Sequence, residues 1–371
     1  MATALFNELF KRFSLGGVDI DNLTFKLFSR VSVGIFIVAS AASICGEYSG
    51  SAIKCKGGDD HGWAEQYCWL HGTYKIEAKK LSLAVAEGCY RNTENFYPNQ
   101  DDTSPDTEYY MWVSLMLFLH GALFMIPDKL WKHSEGGLLK QFGSDRNDFA
   151  ENASKDATLF KDLSKNRTRR YFFTFMAFEC FNFIIALFNF FVIDKFLSGH
   201  FLTYGLDVLT YYGQEHALED VNPMCSCFPT VVNCVTYSGG TGKGSVDKKS
   251  ILCNLGQNIV NQKIYLVLWI WFVVLFTASG IMIIYRILGF ILPTFQRMEI
   301  QSYIRSSKND SVKSLKLDYN HIGHRFVLGQ IGRNSTPYNF RAFLDEVAFL
   351  NKRIKPEKVK ETNAANAIEM K

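Results

Sequence analysis

Hydrophobic positions along this chain gather into four runs with polar sequence between them. Val31–Gly46 is uncharged and lies between Arg30 and Glu47. Tyr109–Pro127 lies between Glu108 and Asp128 and holds one histidine, His120. Tyr171–Ile193, between Arg170 and Asp194, carries nine Phe and a single charge, Glu179. Ile264–Tyr285, between Lys263 and Arg286, has no charge. A helix crossing a bilayer needs about 20 apolar residues, at about 1.5 Å rise each, to traverse roughly 30 Å of hydrocarbon. The last three runs meet that length, and the first is expected to begin near Leu23. Buried helices of soluble folds rarely run so far without a charge. The pattern therefore predicts spans over 23–46, 109–127, 171–193 and 264–285, an all-α membrane protein built as a four-transmembrane-helix bundle. Ahead of them, Leu5, Phe6, Leu9, Phe10 and Phe13 form a helical stripe opposite Asn7, Glu8, Lys11 and Arg12. This predicts a short amphipathic helix within residues 1–22, lying on the membrane surface or folding into a pore mouth. Residues 1–15 lack the apolar core of a cleavable signal, so the first span is expected to act as its own insertion signal.

Composition changes this picture only when it is divided by segment. A net charge of +4 and 48% hydrophobic residues look soluble on average. Lys/Arg against Asp/Glu reads 4 to 3 in 1–30, 6 to 11 in 47–108, 10 to 7 in 128–170, 5 to 6 in 194–263 and 15 to 8 in 286–371. Basic segments stay in the cytoplasm. The expectation is thus a cytoplasmic N-terminus, middle loop 128–170 and C-terminal region 286–371, with extracellular loops at 47–108 and 194–263. Of nine cysteines, Cys55, Cys68, Cys89, Cys225, Cys227, Cys234 and Cys253 fall in those two loops; Cys45 ends the first span and Cys180 lies in the third. Disulfides belong to oxidising compartments, so this distribution predicts disulfide-stapled extracellular loops and a helical cytoplasmic region. Cys225-x-Cys227 is too tight for usual zinc spacing and lacks a His cluster, so no metal is expected. The sequons at Asn22, Asn152, Asn166, Asn309 and Asn334 all fall in segments assigned to the inside, leaving the outer faces free for protein contact.

The first span is rich in small residues, Gly34, Ala39, Ser40, Ala41, Ala42 and Ser43. These suit close helix packing or a water-filled lumen better than lipid. The third and fourth are dominated by Phe, Ile, Leu and Trp. Glu179, Asn182 and Asn189 lie near one face of the third helix and are expected to hydrogen-bond between helices rather than bind an ion. No hydrolase elbow, phosphate loop, dinucleotide fingerprint or metalloprotease pair is present. The charge is too small for nucleic-acid binding. Neither catalysis nor a cofactor is expected; the physical reading is a passive pore or a contact protein.

Tyr109-Tyr110-Met111-Trp112-Val113 closely resembles the signature at the second span of the innexins, the invertebrate gap-junction proteins. Gln66-Tyr67-Cys68-Trp69, Pro127 with Leu130-Trp131-Lys132, Glu135-Gly136-Gly137, and Glu179 with Asn182 are similar to innexin patterns too. So are Tyr204-Gly205, Phe228-Pro229, Asn258 through Asn261, and Leu328-Gly329-Gln330. Met111 and Asp128 depart from the usual residues. The resemblance implies a subunit of a gap-junction channel at the plasma membrane, passing ions and small metabolites between cells. It implies a ring, eight subunits in the known architecture, homomeric or with other innexin subunits, docking to an apposed ring. The N-terminal helix and first span would surround the lumen. It also implies disulfides Cys55–Cys253 and Cys68–Cys234. Cys89, Cys225 and Cys227 exceed the family pattern, and an extra bridge from Cys89 to Cys225 or Cys227 is expected beside it. The nearest alternatives are a non-junctional hemichannel and a non-conducting cell-contact scaffold.

Overall fold

The computed structural model describes residues 20–48, 52–56, 61–73, 109–142, 149–214, 222–239, 246–292, 300 and 321–350. Among these residues four helices are long and apolar enough to cross a membrane: α1 (Leu23–Tyr48), α3 (Tyr109–Glu135), α6 (Lys165–Phe196) and α9 (Gly256–Ile291). Between α1 and α3 lie β1 (Lys54–Lys56) and α2 (His61–His71). After α3 come α4 (Leu138–Gln141) and α5 (Phe149–Asp162). Between α6 and α9 lie α7 (Phe201–Gly213), α8 (Pro223–Cys227), β2 (Val231–Gly239) and β3 (Val246–Asn254). The chain continues through α10 (Ile322–Asn334) and a helix α11 over 337–350.

Two of the spanning helices begin with a side chain that satisfies an orphan backbone amide. Asn22 caps α1, its side chain accepting from the Phe25 amide at 2.9 Å. Ser164 does the same for α6, accepting from Arg167 N at 3.2 Å. Glu135 ends α3 and accepts from the amides of Gly137 and Leu139, both at 2.7 Å. That reversal requires Gly136 (φ 62°) and Gly137 (φ 80°) in the left-handed region. The helices overrun the apolar runs: α3 passes through Pro127 to Glu135, α6 begins at Lys165, and α9 reaches from Gly256 to Ile291. Hydropathy marks the part of a helix in hydrocarbon, whereas backbone hydrogen bonding continues wherever capping permits.

The chain divides into two compact units, one of Met1–Arg30, Ile126–Asn182 and Ala278–Lys371, the other of Val31–Met125 and Phe183–Thr277. The first holds an aromatic core in which Phe25, Trp131, Phe172, Phe175 and Phe326 are all at least nine-tenths buried. Its α10 is a central helix with Phe326, Val327, Leu328 and Ile331 buried. Gly323 of α10 meets the backbone of α6 at Thr168, and Thr168 Oγ1 lies 3.2 Å from His324 Nδ1. The second unit contains a three-stranded antiparallel sheet in the order β1-β3-β2. The sheet was not anticipated from the sequence, because Val246–Asn254 (VDKKSILCN) mixes its charges with its apolar residues and carries no clean alternation.

A Cβ at Gly323 would stand 2.4 Å from the Thr168 carbonyl carbon, a distance only a shift of the two helices can relieve. Gly323→Ala is expected to cost about 1–3 kcal/mol. The thermal unfolding midpoint of the solubilised protein should fall accordingly. At Gly280 an added Cβ meets nothing within 4 Å, so Gly280→Ala should leave the midpoint unchanged or raised.

Candidate functional site

In the second unit, β3 is the central strand and carries one half of the covalent framework. Cys253 on β3 lies directly opposite Cys55 on β1 and is disulfide-bonded to it. Cys68 on α2 is bonded to Cys234 on β2. The sulfurs of Cys55, Cys68 and Cys253 lie within 4.8 Å of one another. All three are consumed in disulfides, so none is left as the thiolate a metal would need. Tyr110 is fully buried beneath this cluster. Its hydroxyl donates to the Cys68 carbonyl at 3.1 Å, and its ring meets Trp69 at 4.7 Å. Tyr109 and Met111 pack on the same cluster, while Trp112 is exposed. Met111 therefore occupies its position as an apolar contact to the disulfide core.

A second knot in this unit centres on Phe228, whose ring packs on Tyr265 (5.1 Å), Tyr204 (5.7 Å) and Tyr109 (6.0 Å). The first turns of α9 hold it with polar side chains. Asn258 donates to the Pro229 carbonyl at 2.7 Å and Gln262 to the Phe228 carbonyl at 3.1 Å. Gln257 Nε2 donates to Ser43 Oγ on α1 at 3.0 Å. Burial pushes the Tyr204 hydroxyl well above the ordinary phenol range, so it remains a donor, here to the Gln262 carbonyl at 3.0 Å. Gly205 leaves room for the Trp269 ring, which would lie 2.1 Å from an added Cβ. The resemblance-bearing residues Tyr204, Gly205, Phe228 and Asn258 are thus parts of one assembly.

Along α1, Phe36 is buried against Phe124 and Phe272, and Ser40 donates to the Ser114 carbonyl at 2.9 Å. Beyond Leu23 at its start, the uncovered positions are Val38, Ala41, Ala42, Ile44, Cys45 and Tyr48. The core of that face, Ala41, Ala42 and Cys45, is small. Uncovered positions of α6 in the same unit, Ile184, Phe188 and Phe191, are large and apolar. His120 Nδ1 lies 2.6 Å from Asn189 Oδ1, a buried polar contact between α3 and α6.

The first unit carries a separate buried polar node. Arg286 Nε donates to Glu179 Oε2 at 3.1 Å, and the Asn22 amide donates to the same carboxylate. The Arg286 guanidinium also lies 5.2 Å from the ring centroids of both Phe175 and Phe326. Asn182, one turn from Glu179, is buried with no hydrogen-bond partner among the described residues. Near the start of α1, Lys132 bridges Asp128 at 2.7 Å and Asp21 at 3.3 Å, with Arg30 3.4 Å from Asp21. Burial, reinforced by the Asp128 charge and opposed by Lys132 and Arg30, raises the Asp21 carboxyl above the ordinary carboxylate range. Asp128 thus has a cation partner one turn along its own helix.

The sequence reading placed Arg286 as a flanking base outside the fourth apolar run; in the structure α9 carries it on, buried, into contact with Glu179. Asn22, which begins a sequon in the sequence, is here the cap of α1 and a donor to Glu179. Leu5, Phe6, Leu9, Phe10, Phe13 and Cys89 lie outside the described residues. Cys225 is buried and disulfide-bonded, and Cys227 is half-buried. Val113 and Pro127 are buried within α3.

The family model for innexins matches residues 21–349. The chain belongs to the innexin family. It is similar to innexin inx2 of Drosophila melanogaster, 31% identical over 338 residues, covering 89% of this chain and 91% of that protein. Innexin inx2 of Schistocerca americana is 32% identical over 345 residues, covering 90% and 94%. Innexin shaking-B of Drosophila melanogaster is 28% identical over 364 residues, covering 93% and 94%. This innexin is a multi-pass membrane protein and a gap-junction channel subunit that assembles with other innexin subunits; the family is one of channels rather than enzymes.

Removing one member of a buried ion pair leaves the other uncompensated, at a cost of about 3–5 kcal/mol. Glu179→Leu and Arg286→Met should each lower the unfolding midpoint of the solubilised innexin sharply. The double variant should lose less than either, because no buried charge remains. A double variant as damaged as the sum of the two would contradict the pairing.

Proposed function

We propose that this innexin works as one of eight subunits in a ring whose lumen is lined by α1 and the amphipathic segment within residues 1–22. Leu5, Phe6, Leu9, Phe10 and Phe13 hold that segment against the wall. The N-terminus, residues 128–170 and the C-terminal region face the cytoplasm. The loops 47–108 and 194–263 face outward and dock onto a ring in the apposed membrane, so that ions and small metabolites pass between cells.

The observation that carries this reading is the contrast between uncovered helix faces. Ala41, Ala42 and Cys45 on α1 offer little apolar surface to lipid, whereas Ile184, Phe188 and Phe191 on α6 offer a great deal. A small-residue face left uncovered by its own subunit suits a water-filled lumen shared among subunits. Supporting the outward assignment, both described disulfides join the loop 47–108 to the loop 194–263. Such bridges are the usual device for fixing an exposed surface in an oxidising compartment. Each typically contributes ~2–4 kcal/mol. The disulfide state of Cys225 favours Cys89–Cys225 as the third bridge over Cys89–Cys227. The charge asymmetry, 10 basic to 7 acidic residues in 128–170 against 6 to 11 in 47–108, supports the same orientation.

Cys45 is exposed on the small face of α1, which gives the lumen assignment a native probe. A positively charged methanethiosulfonate reagent applied to open channels should reduce their current. The Cys45→Ser variant should conduct normally and ignore the reagent. Covalent labelling of Cys45, seen as a mass shift, with current unchanged would place α1 outside the permeation path.

A further inference from the structure

The start of α6 carries an unusual charge distribution for a helix that enters hydrocarbon a few residues later. Lys165, Arg167, Arg169 and Arg170 fall within KNRTRR, with no acidic residue among them. Arg167, Arg169 and Arg170 are all exposed. Among the described residues none of these three arginines pairs with a carboxylate. The nearest acid in sequence, Asp162, is the last residue of α5 and is likewise exposed.

Two further observations fix the depth of this cluster. The exposed positions of α6 form a continuous stripe: Arg170, Phe173, Ala177, Ile184, Phe188, Phe191 and Lys195 recur every three, four or seven residues. Its middle is apolar, and its two ends are cationic. Arg170 and Lys195 are 25 residues apart, or about 37 Å along the helix, so a hydrocarbon layer of roughly 30 Å fits between them. The Arg169 guanidinium lies 5.7 Å from the centroid of the Phe173 ring, and Phe173 meets Phe290 of α9 at 6.4 Å. An arginine lying over an exposed aromatic ring at the edge of an apolar stripe is held at the headgroup level, its donors free for a phosphate.

We propose that Arg167, Arg169 and Arg170 form a binding surface for anionic phospholipid headgroups. Guanidinium groups match phosphate bidentately, and each base near a charged membrane surface strengthens attachment by roughly fivefold. The leaflet concerned is the inner one, a clause that rests on the proposed orientation of 128–170; lipid binding itself does not depend on it.

The test uses the full-length assembled channel in neutral detergent, titrated with fluorescent short-chain phosphatidylserine or phosphatidylcholine. Phosphatidylserine should bind about tenfold more tightly or better, and the preference should shrink as salt rises from about 50 to 500 mM. The variant R167Q/R169Q/R170Q should lose the preference, whereas R167K/R169K/R170K should keep most of it. K248Q/K249Q, neutralising exposed lysines on β3, should keep all of it. If the triple glutamine variant fails to assemble, R170Q and the salt titration of the unaltered channel decide the matter. Equal affinity for the two lipids, a preference insensitive to salt, or one that survives the glutamines would overturn the proposal. So would displacement of phosphatidylserine by millimolar inorganic phosphate, since the surface would then serve a soluble anion. Loss of lumen lining at Cys45 would leave this result untouched, so failure of the channel reading is separable from failure here.

Discussion

A carboxylate on a membrane-crossing helix has no water to solvate it, and Glu179 is the one acidic residue inside the third apolar run. The structure answers with two donors from distant sequence: Arg286, 107 residues later, and Asn22, 157 residues earlier. The pair is buried, with Phe175 and Phe326 facing the guanidinium. Much of the first unit follows from that demand. Asn22 also caps α1, so the residue that completes the ion pair sets where the first spanning helix begins. Phe326 brings in α10, a helix whose Gly323 lies flush on the backbone of α6. Burying an ion pair is weak evidence of net stability, but it specifies which helices must meet and in what register.

The second unit solves its own problem by covalent means. A three-stranded sheet is stable only with an apolar face to bury, and here that face is both packed and cross-linked. Pairing Cys55 with Cys253 across β1 and β3, and Cys68 with Cys234 between α2 and β2, ties all four elements together. Tyr110 at the start of α3 plugs into the same cluster. The aromatic signature at the second span is therefore the contact by which a spanning helix is fixed to the disulfide-linked sheet. Near it, Asn258 and Gln262 serve backbone carbonyls that no strand or helix would otherwise satisfy.

The four spans were legible in the sequence because hydrocarbon imposes a length and a charge rule that local composition must obey. The resemblance at Tyr109–Val113 and its companions carried the disulfide pairing, which four cysteines alone leave open among three connectivities. What stayed hidden depends on contacts between distant residues. Arg286 looked like an ordinary flanking base, since nothing local distinguishes a snorkelling arginine from one turned inward to a carboxylate. Asn22 looked like part of a sequon. The strand Val246–Asn254 has too irregular an alternation to be read as an edge or centre. Asp128, a departure from the family pattern, is accounted for by Lys132, which bridges it to Asp21.

The central claim is that this innexin joins cells through docked rings held in shape by its paired loops. Dye transfer between paired cells that both express the chain tests it most directly, with dye uptake by single cells measured in parallel. The account predicts passage of a small tracer from cell to cell, abolished in Cys68→Ser/Cys234→Ser despite its delivery to the cell surface. Paired cells that carry the protein at their contact yet exchange no tracer would contradict it.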